Sequence, residues 1–319
     1  MVNDKAYSSR LRIIGYAAGI ASGISYGMNP LFAKPLLESG VPVLVMLFYR
    51  YSISAVLLFL LISLTKGSFR TGSSPDTPTQ GKTVRKDRLK GLGVMAFMGI
   101  SFACSSLTLF NSYNYIPSGL ATTLVYLYPA FVALTMVFLK VYPSWQVWVA
   151  IAATFLGIVL LSVPSGDVQI NFFGVFLAAL SALCCAFYLV TVNVSKSIRH
   201  LSETTITFYA LSAGAIFFYV IRVLADGDFS LLTGVDTAAD WLNLIGLAIV
   251  PTMISMLTLA VSSRSIGPTK TSVLGVFEPL SAIMVGVLLF GEPLTIQMTI
   301  GICICIAAVL FMILTQRRS

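Results

Sequence analysis

The sequence predicts an all-α membrane protein whose ten transmembrane helices form two inverted five-helix repeats, with both termini in the cytoplasm. Three observations predict this fold class. Of the 319 residues, 57% are hydrophobic and 10% are charged, whereas soluble domains carry about 25% charged residues. Apolar windows of roughly 20 residues, each long enough to cross about 30 Å of hydrocarbon, recur along the chain. A block in the middle of the chain also returns 150 positions later.

The apolar windows predict the ten helices in order. The first window is too long for the core of a signal peptide, so we expect it to remain as the first membrane span. Several links between windows are very short, which is typical of antiparallel helical hairpins. The predicted spans are 11–34, 43–64, 91–110, 117–139, 145–163, 172–194, 204–224, 241–262, 269–290 and 296–314.

The internal repeat is visible as similar residues at a constant spacing. The spacing is 150 in the later spans, 159 in the first span and 160 in the second, and the extra length of a hydrophilic linker in the first half explains the difference. Because five crossings are an odd number, the second repeat enters the membrane from the opposite side. The matching pairs include Ile116 with Ile266, Pro129 with Pro279, Ser22 with Ser181, Gly27 with Ala186, and Phe48 with Phe208.

The distribution of positive charge predicts the orientation. If the N-terminus is cytoplasmic, nearly all lysines and arginines fall on that side, and Lys34 and Arg222 fall on the other, as the positive-inside rule requires. We expect a polytopic protein of the cell (inner) membrane. Its predicted parts are a cytoplasmic tail 1–10, a first repeat 11–163 containing a flexible basic cytoplasmic linker 66–90, an outer link 164–171, a second repeat 172–314 and a basic tail 315–319.

Composition excludes several functional classes. The net charge of +8 lies in loops at helix ends, where topology and anionic lipid account for it, so no nucleic-acid partner is expected. The single histidine, His200, lies beside Arg199 in a loop, and all five cysteines lie inside predicted spans. No glycine-rich phosphate-binding loop is present in the sequence. We therefore expect no enzymatic activity, no catalytic residue, no metal and no cofactor; the oligomeric state stays open.

Five short motifs stand out in the predicted spans and at their ends. They are Ser25–Lys34, Phe48–Tyr51, Leu127–Ala130, Phe277–Leu280 and Phe290–Thr295. Together they resemble motifs of EamA-type carriers in the drug/metabolite transporter superfamily, and the resemblance covers nearly the whole chain except the 66–90 linker and the loop at 225–240. The resemblance implies ten helices in two inverted repeats around a central substrate cavity, and export of amino acids or other small metabolites.

We therefore expect a secondary transporter that moves a small polar or amphipathic metabolite by alternating access through a cavity between the repeats. An amino-acid-like substrate and export are the first expectation, with membrane lipid as the surrounding partner. Three alternatives stay open: a passive channel or facilitator, a sugar-phosphate or nucleotide-sugar carrier, and a cationic-drug carrier of the same superfamily. A receptor or scaffold that binds a ligand without moving it is a further class.

Two charged residues lie well inside predicted spans. A charge at the bilayer centre costs from about 2.5 to over 10 kcal/mol, so such residues mark functional sites. Arg50 lies in span two and Glu278 in span nine, at depths within roughly one helical turn of each other. The two residues could pair with each other. Alternatively, Glu278 binds an amino group or carries a proton as coupling ion, while Arg50 binds a carboxylate or phosphate.

Polar side chains at positions equivalent in the two repeats complete the candidate site. Tyr128 is equivalent to Glu278, and Tyr188 to Asn29. Prolines in the same spans remove helix hydrogen bonds and mark candidate hinges. The predicted cavity wall is Asn29, Tyr126, Tyr128, Tyr188 and Glu278, and the predicted hinges are Pro30, Pro129 and Pro279.

A glycine recurs at every fourth position of span one. This spacing places the glycines on one helix face, where a neighbouring backbone can approach closely. We expect this face to pack statically against another helix, or to serve as a surface on which two helices slide during transport. The glycines are Gly15, Gly19, Gly23 and Gly27.

Overall fold

The computed structural model of the chain describes residues 2–64, 81–112, 114–116, 121, 124–162, 171–226, 235–289 and 296–315. These residues form helices and turns, with no strand among them. A 3₁₀ turn, Lys196–Ile198, follows α7, and a π-helical segment, Ile249–Ile254, joins α9 to α10. The α-helices are α1 Val2–Gly27, α2 Asn29–Glu38, α3 Val43–Leu64, α4 Gly81–Ser112, α5 Tyr128–Phe138, α6 Trp145–Ser162, α7 Phe172–Val194, α8 Glu203–Asp226, α9 Ala238–Ala248, α10 Ser255–Ile266, α11 Pro268–Leu274, α12 Phe277–Leu289 and α13 Ile296–Thr315.

The length and hydropathy of the helices identify an integral membrane protein. Within the described residues, six helical stretches are long and apolar enough to cross a bilayer. Shorter apolar helices lie at Tyr128–Phe138, Trp145–Leu160 and Thr299–Thr315. The six stretches are Val43–Leu64, Leu89–Ser112, Phe172–Val194, Glu203–Leu224, Ala238–Ile266 and Pro268–Leu289.

Two helices extend beyond the spans that hydropathy predicts. α1 begins at Val2, so the predicted tail 1–10 is largely helical. α4 begins at Gly81, so the last ten residues of the predicted linker 66–90 are helical as well. Lysine and arginine are good helix formers, so these two helices continue past their apolar segments. Hydropathy predicts which residues lie in the membrane, not where a helix ends. Linker residues 66–80, link residues 164–170 and tail residues 316–319 lie outside the described residues.

The two repeats pack on each other through matching helices. α3 packs against its counterpart α8, and α6 packs against its counterpart α13. α1 packs on α10, while their counterparts, α7 and α4, pack on each other. The α3–α8 and α6–α13 contacts thus join equivalent helices of the two repeats. The α1–α10 contact recurs between the equivalent pair, α7 and α4.

Two pairs of serines show this correspondence at the level of single hydrogen bonds. Between α1 and α10, Ser22 Oγ donates to the Ser255 carbonyl at 2.9 Å and Ser255 Oγ donates to the Ser22 carbonyl at 3.2 Å. Between α7 and α4, Ser181 Oγ donates to the Ser105 carbonyl at 2.7 Å. Ser181 and Ser105 are the repeat equivalents of Ser22 and Ser255. The same helix crossing is therefore built twice.

The glycine face of α1 lies in backbone contact with the second repeat. A Cβ on Gly23 would lie 2.7 Å from the Cβ of Phe277, and a Cβ on Gly27 would overlap the carbonyl oxygen of Glu278. The two remaining glycines of the face, Gly15 and Gly19, would meet side chains of α10 and α11. The close approach predicted from the spacing is therefore present, and it places α12 directly against α1.

We expect Gly27→Ala to destabilise the protein, because its Cβ would meet the backbone of α12, which cannot move aside as a flexible side chain can. Overpacking of this kind costs about 1–3 kcal/mol. The measurement is the thermal unfolding midpoint of purified protein. Gly93→Ala is the matched control, since a Cβ there would have nothing within 4 Å, and alanine favours a helix over glycine. Equal losses in both variants would contradict the contact.

Candidate functional site

Three helix breaks lie at the prolines that the sequence predicts as hinges. A proline removes one backbone donor and disfavours helical geometry in the residue before it. Each proline lies two or three residues after its break. Pro30 follows the break at Met28 between α1 and α2, Pro129 follows the turn at 126–127 before α5, and Pro279 follows the turn at 275–276 between α11 and α12.

The breaks next to α5 and α12 are tied together by two tyrosine hydroxyls. The Tyr126 hydroxyl donates to the carbonyl of Gly275, and the Tyr128 hydroxyl donates to the carbonyl of Ser272 at 2.9 Å. The two rings lie 5.8 Å apart between centroids. A Cβ on Gly275 would overlap the Tyr128 hydroxyl, so only glycine leaves room for this contact. The broken segment of one repeat therefore holds the broken segment of the other.

Glu278 lies in the first turn of α12, beside these tyrosines. Its side chain lies within electrostatic range of Tyr126, Tyr128 and Cys185. The residue is half-buried, and no lysine or arginine of the described residues forms an ion pair with it. The site therefore presents one carboxyl group, flanked by a phenol, inside an apolar bundle.

Arg50 on α3 is fully buried, with 0% of its surface exposed. Its Nε donates to Thr252 Oγ1, its Nη1 donates to Asn29 Oδ1 at 3.3 Å, and its Nη2 donates to the Pro251 carbonyl at 3.2 Å. The guanidinium carbon lies 5.6 Å from the centre of the Tyr26 ring, within range of a cation–π contact. All these partners are neutral, and three of the five N–H donors of the guanidinium are used.

The π-helical segment supplies two of the acceptors for Arg50. Such segments interrupt the regular hydrogen-bond ladder and often occur at functional sites. Thr252 Oγ1 donates back five residues to the Leu247 carbonyl at 2.8 Å, which leaves its lone pair for Arg50. The carbonyl of Pro251 is turned toward the same guanidinium. The only sequence signal for this arrangement is a proline inside a predicted span.

Arg50 and Glu278 lie on either side of the break between α1 and α2 without pairing. Arg50 binds Asn29, which follows the break, while the backbone of Glu278 packs on Gly27, which precedes it. Tyr26 lies between them, against Arg50 and within electrostatic range of Tyr126 and Tyr128. Within the described residues, each charge is thus held by neutral groups.

The equivalent place in the other repeat carries no charge. There the ring of Tyr188 packs on Phe102 at 5.0 Å between centroids. The Tyr188 hydroxyl is buried without a hydrogen-bond partner among the described residues. The repeat counterparts of Arg50, Thr252 and Asn29 are Ala210, Phe102 and Tyr188. The polar cluster around Arg50 therefore occupies one of the two positions that the repeat makes equivalent, and aromatic packing occupies the other.

The structure brings most of the predicted cavity wall together. Tyr126, Tyr128 and Glu278 form one cluster, and Asn29 joins it through Arg50 and Tyr26. Tyr188 packs on Phe102, and Tyr51 lies within electrostatic range of both Tyr188 and Arg50. Tyr26, Pro251 and Thr252 belong to the site although the sequence did not single them out as site residues.

Broken apolar helices around ionisable side chains in the interior are typical of membrane transport proteins, because such breaks and side chains mark substrate paths. The family model of the EamA-like transporter family matches the chain twice, at residues 13–163 and 172–314. The chain therefore belongs to the EamA-like transporter family.

Two relatives and a solved structure are similar to this chain. Two proteins of Archaeoglobus fulgidus, both described as uncharacterized transporters, are similar to this chain. The first is 28% identical over 227 residues, covering 71% of this chain and 76% of the relative. The second is 29% identical over 226 residues, covering 69% and 76%. A crystal structure of a protein with 16% identity superposes with a TM-score of 0.76 over 97% of this chain and 98% of the other, which shows the shared fold.

Proposed function

We propose that this protein is a secondary carrier that exports a small zwitterionic metabolite of the amino-acid type by alternating access. The observation that carries the proposal is the placement of one basic and one acidic side chain, Arg50 and Glu278, which flank one helix break and have neutral neighbours among the described residues. A substrate with one carboxylate and one ammonium group would neutralise both. Buried charges are stable when paired in this way.

The binding mode follows from the free hydrogen-bonding capacity of each group. Two N–H donors of Arg50 have no partner among the described residues, and they suit a carboxylate, which guanidinium binds in a bidentate manner. Glu278 accepts the ammonium group, and Tyr126, Tyr128 and Asn29 form the wall between them. Because Arg50 is fully buried, groups packed around it must move before a substrate reaches it.

The same charges weigh against the alternative substrates. A sugar phosphate or nucleotide sugar would place its phosphate near the carboxylate of Glu278, and a cationic drug would leave Arg50 without a counter-charge. Glu278 also remains the candidate group for a coupling proton, since it is the acidic residue of the described site. A zwitterion is therefore the substrate class that the charge pattern favours.

If α1, α5, α6 and α13 each cross the membrane in addition to the six long stretches, the chain has ten crossings. The matching contacts between the repeats support an inverted arrangement about an axis in the membrane plane. Arg12 and Ser144 line one cavity, and Trp145 packs on Phe311 at 6.0 Å. These contacts support both termini at one end, and the positive charges there place that end in the cytoplasm.

The test is flux into liposomes that contain the purified protein. We expect saturable uptake of radiolabelled neutral amino acids that unlabelled amino acids compete away, with and without an imposed pH gradient. Sugar phosphates and an organic cation serve as comparison substrates. Flux that does not saturate would indicate a channel instead, and saturable flux of a comparison substrate alone would replace the amino-acid assignment. Binding without flux would indicate a receptor.

A further inference from the structure

A cavity lies at the membrane end where α11 begins. Its volume is about 510 Å³, within the range of small-molecule sites. Arg12 of α1, the 141–144 link before α6 and the 267–270 segment of the second repeat line it. None of the residues that hold Arg50 or Glu278 lies in its wall, so it is separate from the site described above.

The charged residues in the wall of this cavity are Arg12 and Lys270, and none of its described lining residues is acidic. Arg12 is close enough to act electrostatically on Lys270. Neither forms an ion pair with a described residue. Lys270 is half-buried, so water screens its charge incompletely. Arg12 and Lys270 therefore place two positive charges beside this cavity, and no described residue supplies a negative counter-charge.

Polar groups surround the two cations. Thr269 contributes a hydroxyl, and Asn193 is held in place because its amide donates to the Ser263 carbonyl at 2.8 Å. Buried Val147 and Ile266 form the apolar part of the wall. This combination of two cations, a hydroxyl donor and a partly apolar wall suits an anionic oxygen group.

We propose that the cavity bounded by Arg12 and Lys270 is an anion-binding site for a phosphate or carboxylate group. Two sources share this chemistry: the headgroup of an anionic phospholipid, since the cavity lies at a membrane end, and a free anion from the adjacent water. The proposal does not depend on the substrate carried through the central site. Its failure would leave the assignment of Arg50 and Glu278 intact.

The experiment measures the thermal unfolding midpoint of the purified full-length protein against increasing probe concentration, at constant ionic strength kept with sodium chloride. The probes are inorganic phosphate, dioctanoyl phosphatidylglycerol and, as a neutral comparison, dioctanoyl phosphatidylcholine. A ligand that binds the folded state raises the midpoint. The variants are Arg12→Gln/Lys270→Gln, the charge-keeping Arg12→Lys/Lys270→Arg, and Lys196→Gln as a cation outside the cavity wall.

In the wild type and in Lys196→Gln we expect an anionic probe to raise the midpoint. In the charge-removing double variant the half-maximal concentration should rise tenfold or more, and the charge-keeping variant should retain most of the effect. A rise with phosphate identifies a free anion, whereas a rise with phosphatidylglycerol alone identifies a lipid headgroup. No rise in the wild type, or an equal rise in the charge-removing variant, would overturn the site.

Discussion

Replacing Arg50 by alanine is expected to reduce substrate affinity at least about 100-fold. A hydrogen bond to a charged group contributes about 1.5–3 kcal/mol, and the proposed carboxylate receives two from Arg50. Their loss amounts to about 3–6 kcal/mol, and each 1.4 kcal/mol is tenfold in affinity. The unfolding midpoint should fall too, because Thr252, Asn29 and Pro251 each lose a donor. Binding and flux of labelled amino acid on purified variants measure both effects.

Arg264 provides a matched control for this variant. It also makes three hydrogen bonds, to the Leu201 carbonyl at 2.6 Å, the Ile198 carbonyl at 2.8 Å and Glu203 at 3.1 Å. Arg264→Ala should therefore lower the unfolding midpoint but leave substrate affinity unchanged. If Arg50→Ala behaved in the same way, with normal affinity and reduced stability, Arg50 would be a structural residue and the zwitterion proposal would lose its anion contact.

Glu278→Gln is expected to abolish most transport while the protein still folds. Glutamine has nearly the same shape, but it cannot carry the negative charge that the proposed ammonium group needs. A single charge-assisted contact contributes about 1.5–3 kcal/mol, so affinity should fall roughly 10- to 100-fold. The sharpest measurement compares an amino acid with its N-acetyl derivative, because the preference for the free amine should disappear in this variant.

Glu203→Gln is the control for a general effect of removing a carboxylate. Glu203 pairs with Arg264 at 3.1 Å and is 35% exposed, and such pairs contribute at most about 1 kcal/mol. Its variant should transport normally and keep the preference for the free amine.

A pH gradient tests a second role of Glu278, that of carrying the coupling proton. If Glu278 carries this proton, Glu278→Gln would exchange substrate across the membrane but no longer accumulate it. Unchanged kinetics in Glu278→Gln would remove this residue from the mechanism.

The sequence predicted the helices well because each apolar run has the length that a bilayer demands. α3 and α7 coincide with the predicted spans 43–64 and 172–194. The three helix breaks were predictable as well, since proline acts on its own local backbone. The starts of α1 and α4 were not, because they are set by helix propensity in charged segments that hydropathy does not register.

The candidate site was predicted in part for a similar reason. Glu278 and Arg50 stand out because any charge inside a span does, and Tyr126 and Tyr128 stand out through the repeat. The partners of Arg50 were not predicted, since Thr252 is 202 positions away in the chain and its role depends on the π-helical segment. The depths of Arg50 and Glu278 along their helices could not show whether the two residues pair, because depth does not determine the direction in which a side chain points.

The break between α1 and α2 has no counterpart in the second repeat. α7 runs without interruption through Tyr188 and Leu189, the equivalents of Asn29 and Pro30. In a carrier of two inverted halves, exchanging the conformations of the halves converts one end state into the other. On the alternating-access mechanism proposed above, this exchange would yield two unlike structures, because the first helix is bent in one half and continuous in the other. The two end states would then differ in free energy, and we expect the unloaded protein to rest mainly open to a single compartment.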